Sequence, residues 1–579
     1  MLFTLTWEYL RTRLWEVVSV IVLQTVAAIA ALNLPSLNAR IIDEGVAAGD
    51  TAQIWHLGAI MLAATLVQTI ATGIAVFLGS RMAMGLGAWL RHRIFTHTQE
   101  FSAQDVHEFG APSLVTRSTN DVQQVQMVTL MTFLIMIQAP IMGVGGVVMA
   151  LRQDAHLSLL LVVVVPVLAV VVGLIMARLS PLFQVQQTRI DTMNTVIREE
   201  LSGIRVIRAF VRQPLIRQRY RDANDQLRQI ALRIGTMFAL MFPAVMVIIS
   251  ISNVGVLWFG GHSIENGESQ IGALFAFINY LGQIFGAVMM AAMMFIMVPR
   301  ANASARRIHE VLAHDPSVRP AEHPTGSPQG RWTFAFRDVA LRYPGAADPV
   351  LADISLELPP GTVTGVIGST GSGKTTLTNL LPRLMDPTSG AITANGIPTT
   401  QLDLAELRAR IAVVPQRAYL FSGTIASTVA GVPEPDDEQR ERVRRALEGA
   451  QAMEFVSDSA LGIDAPVEPG GANFSGGQRQ RLTIARALYR HADLYVFDDS
   501  FSALDYATDA RLRLALPGYI RGAAALIIAQ RVATIRNADC IVVLDDGRIV
   551  GRGTHAQLMK DCPTYREIVA SQMSEEEAA

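Results

Sequence analysis

The sequence predicts two unlike parts: an α-helical domain of six membrane spans, then an α/β domain built around a phosphate-binding loop. Three observations carry this reading. Six long stretches before residue 300 contain no Asp, Glu, Lys or Arg, the composition changes near residue 312, and a short apolar strand at 363–367 runs into a glycine-rich loop. The chain has 579 residues, too many for one domain and enough for two to four. Half of the residues are hydrophobic and 17% are charged, against about 25% in soluble proteins; mean hydropathy is +0.32. These values exclude disordered, fibrous and disulfide-rich classes. A formal net charge of −2 leaves no bulk basic field for nucleic acid. Cys540 and Cys562 stand in no metal-ligand or redox spacing and read as ordinary thiols.

The uncharged windows are 17–37, 54–79, 122–151, 155–177, 234–264 and 269–299. Each can cross a hydrocarbon core, which takes about 20 apolar residues. Lipid offers the backbone no hydrogen-bond partners, so the spans must be helices. Pro140, Pro166 and Pro243 fall inside windows, where neighbouring helices tolerate a kink. Arginines orient the spans. Arg11 and Arg13 precede the first, Arg81, Arg91, Arg93 and Arg117 lie in the second connection, and eleven arginines lie between 178 and 233. The first, third and fifth connections carry only Arg40 and Arg152, and the fifth holds Glu265 and Glu268. The positive-inside rule then places both termini and the two long loops in the cytoplasm. Residues 2–14 are expected to form an amphipathic helix on the inner membrane surface, with no signal-peptide pattern around Glu8. The two long loops keep helical spacing, as at Leu201, Ile204, Val206, Ile207 and Phe210, and read as membrane helices continuing into the cytoplasm.

Residues 314–331 hold four prolines and two glycines, a boundary composition. The expected division is 1–311 membrane domain, 312–331 linker and 332–579 nucleotide-binding domain. Past Trp332, residues 334–336 and 351–358 alternate like strands, and 363–367 is a short buried strand. It leads into Gly368, Ser369, Thr370, Gly371, Ser372, Gly373, Lys374 and Thr375, with Thr376 next, a match to G-x-x-x-x-G-K-[ST]. Glycines let backbone N–H groups curl around phosphate oxygens, Lys374 would reach the β- and γ-phosphates, and Thr375 would ligate Mg²⁺. The chain has two lysines, Lys374 and Lys560; every other basic side chain of this kind is arginine. Lys374 is kept where a compact ammonium fits and a guanidinium fork does not.

A second apolar strand, 493–497, ends in Asp498 and Asp499. An aspartate there, beside a phosphate loop, orders Mg²⁺. Between the two pieces, Asn473, Phe474, Ser475, Gly476, Gly477 and Gln478 enter a helical run at 479–489, a second helix start suited to an anion. One chain thus offers two phosphate-binding termini where one site needs a single one.

Together these pieces resemble the nucleotide-binding domain of ATP-binding-cassette (ABC) proteins, and the whole chain resembles a half-transporter with the exporter-type ABC fold. The resemblance implies ATP and Mg²⁺ as cofactors, with ATP lying between two cassettes and one chain's phosphate loop facing the other's signature, here Phe474 to Gln478. It also implies that Tyr343 stacks on adenine, that Gln416 joins Thr375 and Asp498 around Mg²⁺, and that Asp505 ends a loop crossing the dimer interface. The segments around 110–117 and 212–219 match coupling helices. A multi-pass protein of the bacterial plasma (inner) membrane is expected.

Four positions depart from the family pattern. Asp499 stands where the catalytic glutamate is usual, Gln530 where the switch histidine precedes Arg531, Phe474 where leucine opens the signature, and Pro469 where a glutamate is expected, with Glu468 one step away. The first two fall in one site. Aspartate withdraws the carboxylate by roughly 1.5 Å, and a misplacement of about 1 Å can cost on the order of a hundredfold in rate. Glutamine cannot become cationic or shuttle a proton. The site is therefore expected to hold Mg·ATP and cleave it slowly, and the working unit to be a heterodimer. Its non-identical partner half-transporter would carry the glutamate and histidine and use this chain's Ser475, Gly476 and Gly477 in trans. Three other readings share these residues: a regulatory subunit that does not transport, an importer of exporter shape, and an active homodimer. The polar residues of the spans are neutral (Gln24, Asn33, Gln68, Gln138, Asn253, Asn279, Gln283), and the last span carries Met289, Met290, Met293, Met294 and Met297. A hydrophobic or amphipathic cargo, drug or lipid, follows from such adaptable surfaces.

Overall fold

The computed structural model describes residues 1–267, 269–520 and 522–572, without the side chains of Phe295 and Ile296; Glu268 and residues 573–579 of the expected second domain lie outside the described residues. Among the described residues, six helices are long and apolar enough to cross a membrane: Leu2–Val46, Thr51–Gln99, Ala111–Gln153, Leu159–Ala209, Gln213–Glu265 and Ile271–Leu312. Each is built on one of the uncharged windows. The second, fourth and fifth have 49, 51 and 53 residues. At 1.5 Å per residue that is roughly 75–80 Å, far more than the ~30 Å of a bilayer core. The fourth and fifth are joined by a turn in which Val211 takes a left-handed φ of 52°.

The opening segment is helical at Leu2–Leu10 and packs against the second long helix. Tyr9 lies 5.7 Å from the Trp89 ring, and Glu8 pairs with Arg93 at 2.7 Å. Phe3 and Trp7 stack on its exposed side. Four of the seven neutral polar residues of the spans bond to backbone, while the buried Oδ1 of Asn253 has no hydrogen-bond partner among the described residues. Asn33 and Asn279 donate to the carbonyls of Ile29 and Phe275 one turn back, while Gln24 and Gln283 reach Phe133 O and Ala31 O on neighbouring helices. In the last span Met294 is buried and Met293 is 66% exposed.

Internal packing divides the chain into Met1–Gln99 with Gly110–His314, and Glu100–Phe109 with Asp315–Ala579. The second unit therefore takes in the proline-rich stretch and a short piece that composition alone put in the membrane domain. That piece is the helix Ala103–Phe109, closed at Gly110 with φ 75°. Buried Asp105 accepts from the N–H groups of Ser102 (2.8 Å) and Ser317 (3.1 Å), and the two serine hydroxyls meet at 2.6 Å. Residues 111–116 and 213–219, in the segments matched to coupling helices, are the first turns of the third and fifth long helices.

Among its described residues the second unit forms twelve strands: β1 (Phe334–Leu341), β2 (Leu351–Leu358), β3 (Val363–Gly368), β4 (Ser389–Ala394), β5 (Ile397–Pro398), β6 (Ile411–Val414), β7 (Gly423–Thr424), β8 (Pro466–Val467), β9 (Leu494–Asp498), β10 (Ala524–Ile528), β11 (Cys540–Asp545) and β12 (Arg548–Gly553). One sheet runs β2-β1-β4-β5, another β12-β11-β3-β10-β9-β6, and β7 pairs β8. In the six-stranded sheet β11, β3, β10, β9 and β6 are parallel, and only the edge strand β12 is antiparallel. β9 and β10 are buried along their whole length, as parallel strands covered on both faces must be. Val366 sits opposite Ile528, Ile528 opposite Asp498, and Phe497 opposite Val414. The carboxyl ends of four adjacent strands thus come level, the edge where open α/β sheets bind ligands.

Candidate functional site

That edge gathers the phosphate loop after β3, Gln530 after β10, Asp498 and Asp499 at the end of β9, and Gln416 after β6. In the phosphate loop Gly371 and Gly373 take φ values of 90° and 96°, a region that disfavours side chains. A Cβ on Gly368 would collide with the carbonyl oxygen of Leu544, and one on Gly373 would lie 2.7 Å from Leu351 Cδ2. Lys374 Nζ donates to the carbonyls of Gly368 (2.8 Å) and Ser369 (2.6 Å), so the ammonium lies over the loop. Burial pulls its pKa below the usual lysine value, and the charges of Asp499 and Asp498 oppose that pull.

Asp498 is buried, and burial pushes its carboxyl above the ordinary aspartate value; a hydrogen bond from Thr375 works the other way, and the Asp499 charge adds to the rise. Thr375 and Asp498 thus meet, as a shared Mg²⁺ requires. The narrow turn, the aligned lysine and this oxygen pair fit a triphosphate with its Mg²⁺, which Thr375 and Asp498 would hold and which would supply charge neutralisation to the phosphates. Tyr343 is partly buried beside the loop, its hydroxyl 3.3 Å from Thr376 Oγ1.

Asp499 takes a left-handed φ of 46°. Its N–H donates to Ile528 O at 3.0 Å, and its carbonyl accepts from Ser502 Oγ at 2.8 Å. Both of its neighbouring glutamines converge on one carboxylate oxygen. Gln530 Nε2 donates to Asp499 Oδ2 at 2.8 Å, and Gln416 Nε2 donates to the same oxygen at 3.3 Å.

The remaining predicted residues form a second group. Ser475 caps the helix Gly476–Tyr489: its hydroxyl accepts from Gln478 N–H (3.3 Å), and Gln478 Oε1 accepts from Ser475 N–H (2.9 Å). This reciprocal pair is a capping box. Arg479 ties the approach down through Phe474 O at 2.7 Å, and the Phe474 ring meets Phe455 edge-on at 6.3 Å. Among the described residues nothing lies within 4 Å of a Cβ placed on Gly476, and a Cβ on Gly477 would lie 3.3 Å from Ala503 O. Asp505 caps the helix Tyr506–Tyr519 by accepting from Thr508 N–H at 2.9 Å, and that backbone bond holds its carboxyl below the usual range.

Residues 17–288 match the family described as the ABC transporter transmembrane region, and residues 351–502 match the family described as ABC transporter. A Mycobacterium tuberculosis (strain CDC 1551 / Oshkosh) protein described as an uncharacterized ABC transporter ATP-binding protein is 44% identical over 574 residues, covering 99% of this chain and 98% of that one. The chain belongs to the ABC transporters. It is a half-transporter of the exporter type, with a transmembrane domain and an ATP-hydrolysing domain. An ATP-dependent lipid A-core flippase of Chromobacterium violaceum is 29% identical over 95% of this chain and 94% of its own. The fold matches the structure of a bacterial Atm1-family ABC exporter with ATP bound, at a TM-score of 0.80 and 20% identity, over 98% of this chain and 99% of the other.

Sequence reading missed three residues that shape this ABC site. Thr378 donates to Asp498 Oδ2 at 3.4 Å, buried Gln480 reaches Pro415 O beside Gln416 at 3.5 Å, and buried Ser500 donates to Val414 O at 3.0 Å. Thr378 stands one helical turn beyond Lys374, a spacing that could have marked it.

Proposed function

We propose that this chain is the weakly hydrolysing half of a heterodimeric ATP-driven exporter in the bacterial plasma membrane, moving a hydrophobic or amphipathic cargo. The observation that carries the reading is the setting of Asp499: its carboxylate is one methylene shorter than a glutamate's, and Gln530 and Gln416, both neutral carboxamides, donate to its Oδ2. A general base must reach the attacking water, and a neighbour that can become cationic would stabilise the charge developing there, which neither glutamine can do. The binding elements are intact: Gly371 and Gly373 turn the loop, Lys374 lies over it, and Thr375 meets Asp498. This site holds Mg·ATP and releases phosphate slowly. The partner half-transporter carries glutamate and histidine at the corresponding positions, and the open face at Gly476, capped by Ser475, completes that stronger site in trans. Closure of the two cassettes on ATP drives the long helices inward, and hydrolysis at the partner's site resets them. Similarity to lipid A-core flippases, together with the methionine-rich last span and the absence of charged residues from the six windows, favours a lipid-like cargo.

The test is ATPase activity of the purified chain in lipid, alone and then with a consensus half-transporter encoded beside it. Slow turnover alone, rising with the partner, is expected. Brisk hydrolysis and cargo movement by this chain alone would overturn the assignment.

A further inference from the structure

Gln530 is held from outside the strand that delivers it. β10 ends at Ile528, and the helix Val532–Ile535 starts after Arg531 with no side chain of that residue capping it. The first N–H groups of a helix have no partner inside it. Here the N–H of Val532 donates to Gln572 Oε1 at 2.9 Å, and Nε2 of the same carboxamide donates to Gln530 O at 2.7 Å. One side chain therefore closes the main chain on both flanks of Arg531. The Arg531 guanidinium in turn lies over the Tyr506 ring, 5.0 Å from its centre, directly after Asp505.

Gln572 is the last described residue of the helix Pro563–Gln572. Tyr565 and Val569 are buried in the core that also contains Val532 and Ile535. Positions 565, 569 and 572 follow the i, i+4, i+7 spacing of one helical face. The Tyr565 hydroxyl is fixed by His555 Nδ1 at 2.8 Å. Burying the first two residues of that face delivers the carboxamide of the third to 530–532.

We infer that Gln572 is a positioning residue of the ATP site: by clamping the backbone around Arg531 it sets where Gln530 presents its carboxamide to Asp499. The inference rests on reading Asp499 and Gln530 as the hydrolytic pair.

The substitution Gln572→Met keeps the length of the side chain and removes both hydrogen bonds. In the full chain reconstituted in lipid, single-turnover ATP hydrolysis is followed for wild type, Gln572→Met, Gln530→Ala and the double variant. Removing the clamp is expected to lower the rate about fivefold, with the ATP concentration for half-saturation held within about twofold. With Gln530 already alanine, Gln572→Met should add nothing, because residues acting through one another are not additive. An equal loss in both backgrounds, or no loss in the wild type, overturns the proposal. Fast wild-type turnover would count against the weak-site reading but would leave this ratio readable. Amide exchange in a peptide spanning 530–535 gives a second measurement. It should accelerate in Gln572→Met while β3 and β9 keep their protection, and unchanged exchange at 530–535 also overturns the clamp.

Discussion

At Gly368 and Gly373 the chain passes so close to β11 and β2 that a methyl group meets Leu544 O or Leu351 Cδ2. A few ångströms along the same sheet edge, at Asp499 and Gln530, what meets the neighbouring groups is the tip of a side chain. In the first region the two glycines are closed in by neighbouring chain, so a side chain at Gly368 must displace Leu544 O and one at Gly373 must displace Leu351 or Val350 O. The second is made of carboxylate and carboxamide ends, which can be exchanged while β9 and β10 stay buried and paired. A cassette can therefore keep its grip on nucleotide and lose its chemical stroke, whereas a change at Gly368 or Gly373 would disturb the loop itself.

The largest effect should come from restoring the second region alone. Asp499→Glu with Gln530→His lengthens the carboxylate and replaces a neutral amide with a titratable imidazole. Hydrolysis at this chain's own site should rise about a hundredfold, the size expected when a reacting group regains roughly an ångström. Phosphate release by the variant, with ATP affinity measured in parallel, checks this. A rate that does not move would show that Asp499 already serves as an adequate base.

The first region predicts the opposite pattern. Lys374→Ala should weaken ATP binding about tenfold or more, since hydrogen bonds to a charged group contribute roughly 1.5–3 kcal/mol. The ammonium also bridges Gly368 O and Ser369 O, so the loop loosens as well. Lys374→Arg should not restore binding, because a planar fork cannot fill a point-charge position. Titration of a fluorescent ATP analogue reads both variants. Full binding by the arginine variant would break the contrast drawn between the two regions.

Much of this was legible beforehand because the physics is local. Six uncharged windows can only be helices in lipid, and a glycine-rich turn after an apolar strand specifies a cradle without reference to the rest of the chain. Asp499 and Gln530 were legible as departures from a pattern, but the two glutamines sharing one oxygen were not. Gln416, Asp499 and Gln530 are brought together only by the parallel register of β6, β9 and β10. Gln572 was invisible for the same reason, since its role depends on Tyr565 and Val569 seating a helix far along the chain. The helix Ala103–Phe109 escaped because its packing with Ser317 turns on one buried carboxylate, Asp105, and composition does not register a single contact.

Tyr343 tests the boundary between the two regions with the smallest expected change. Its ring can act by stacking on a base, and its hydroxyl acts on Thr376, inside the cradle helix, across 3.3 Å. Stacking of a base on an aromatic ring contributes about 1–3 kcal/mol. A neutral hydrogen bond contributes about 0.5–1.5 kcal/mol, and one this long belongs at the low end. Tyr343→Phe should therefore cost ATP affinity no more than about threefold, while Tyr343→Ala should cost about tenfold. Equal losses in the two variants would move Tyr343 out of adenine recognition and into the cradle, as a residue that holds Thr376 in place.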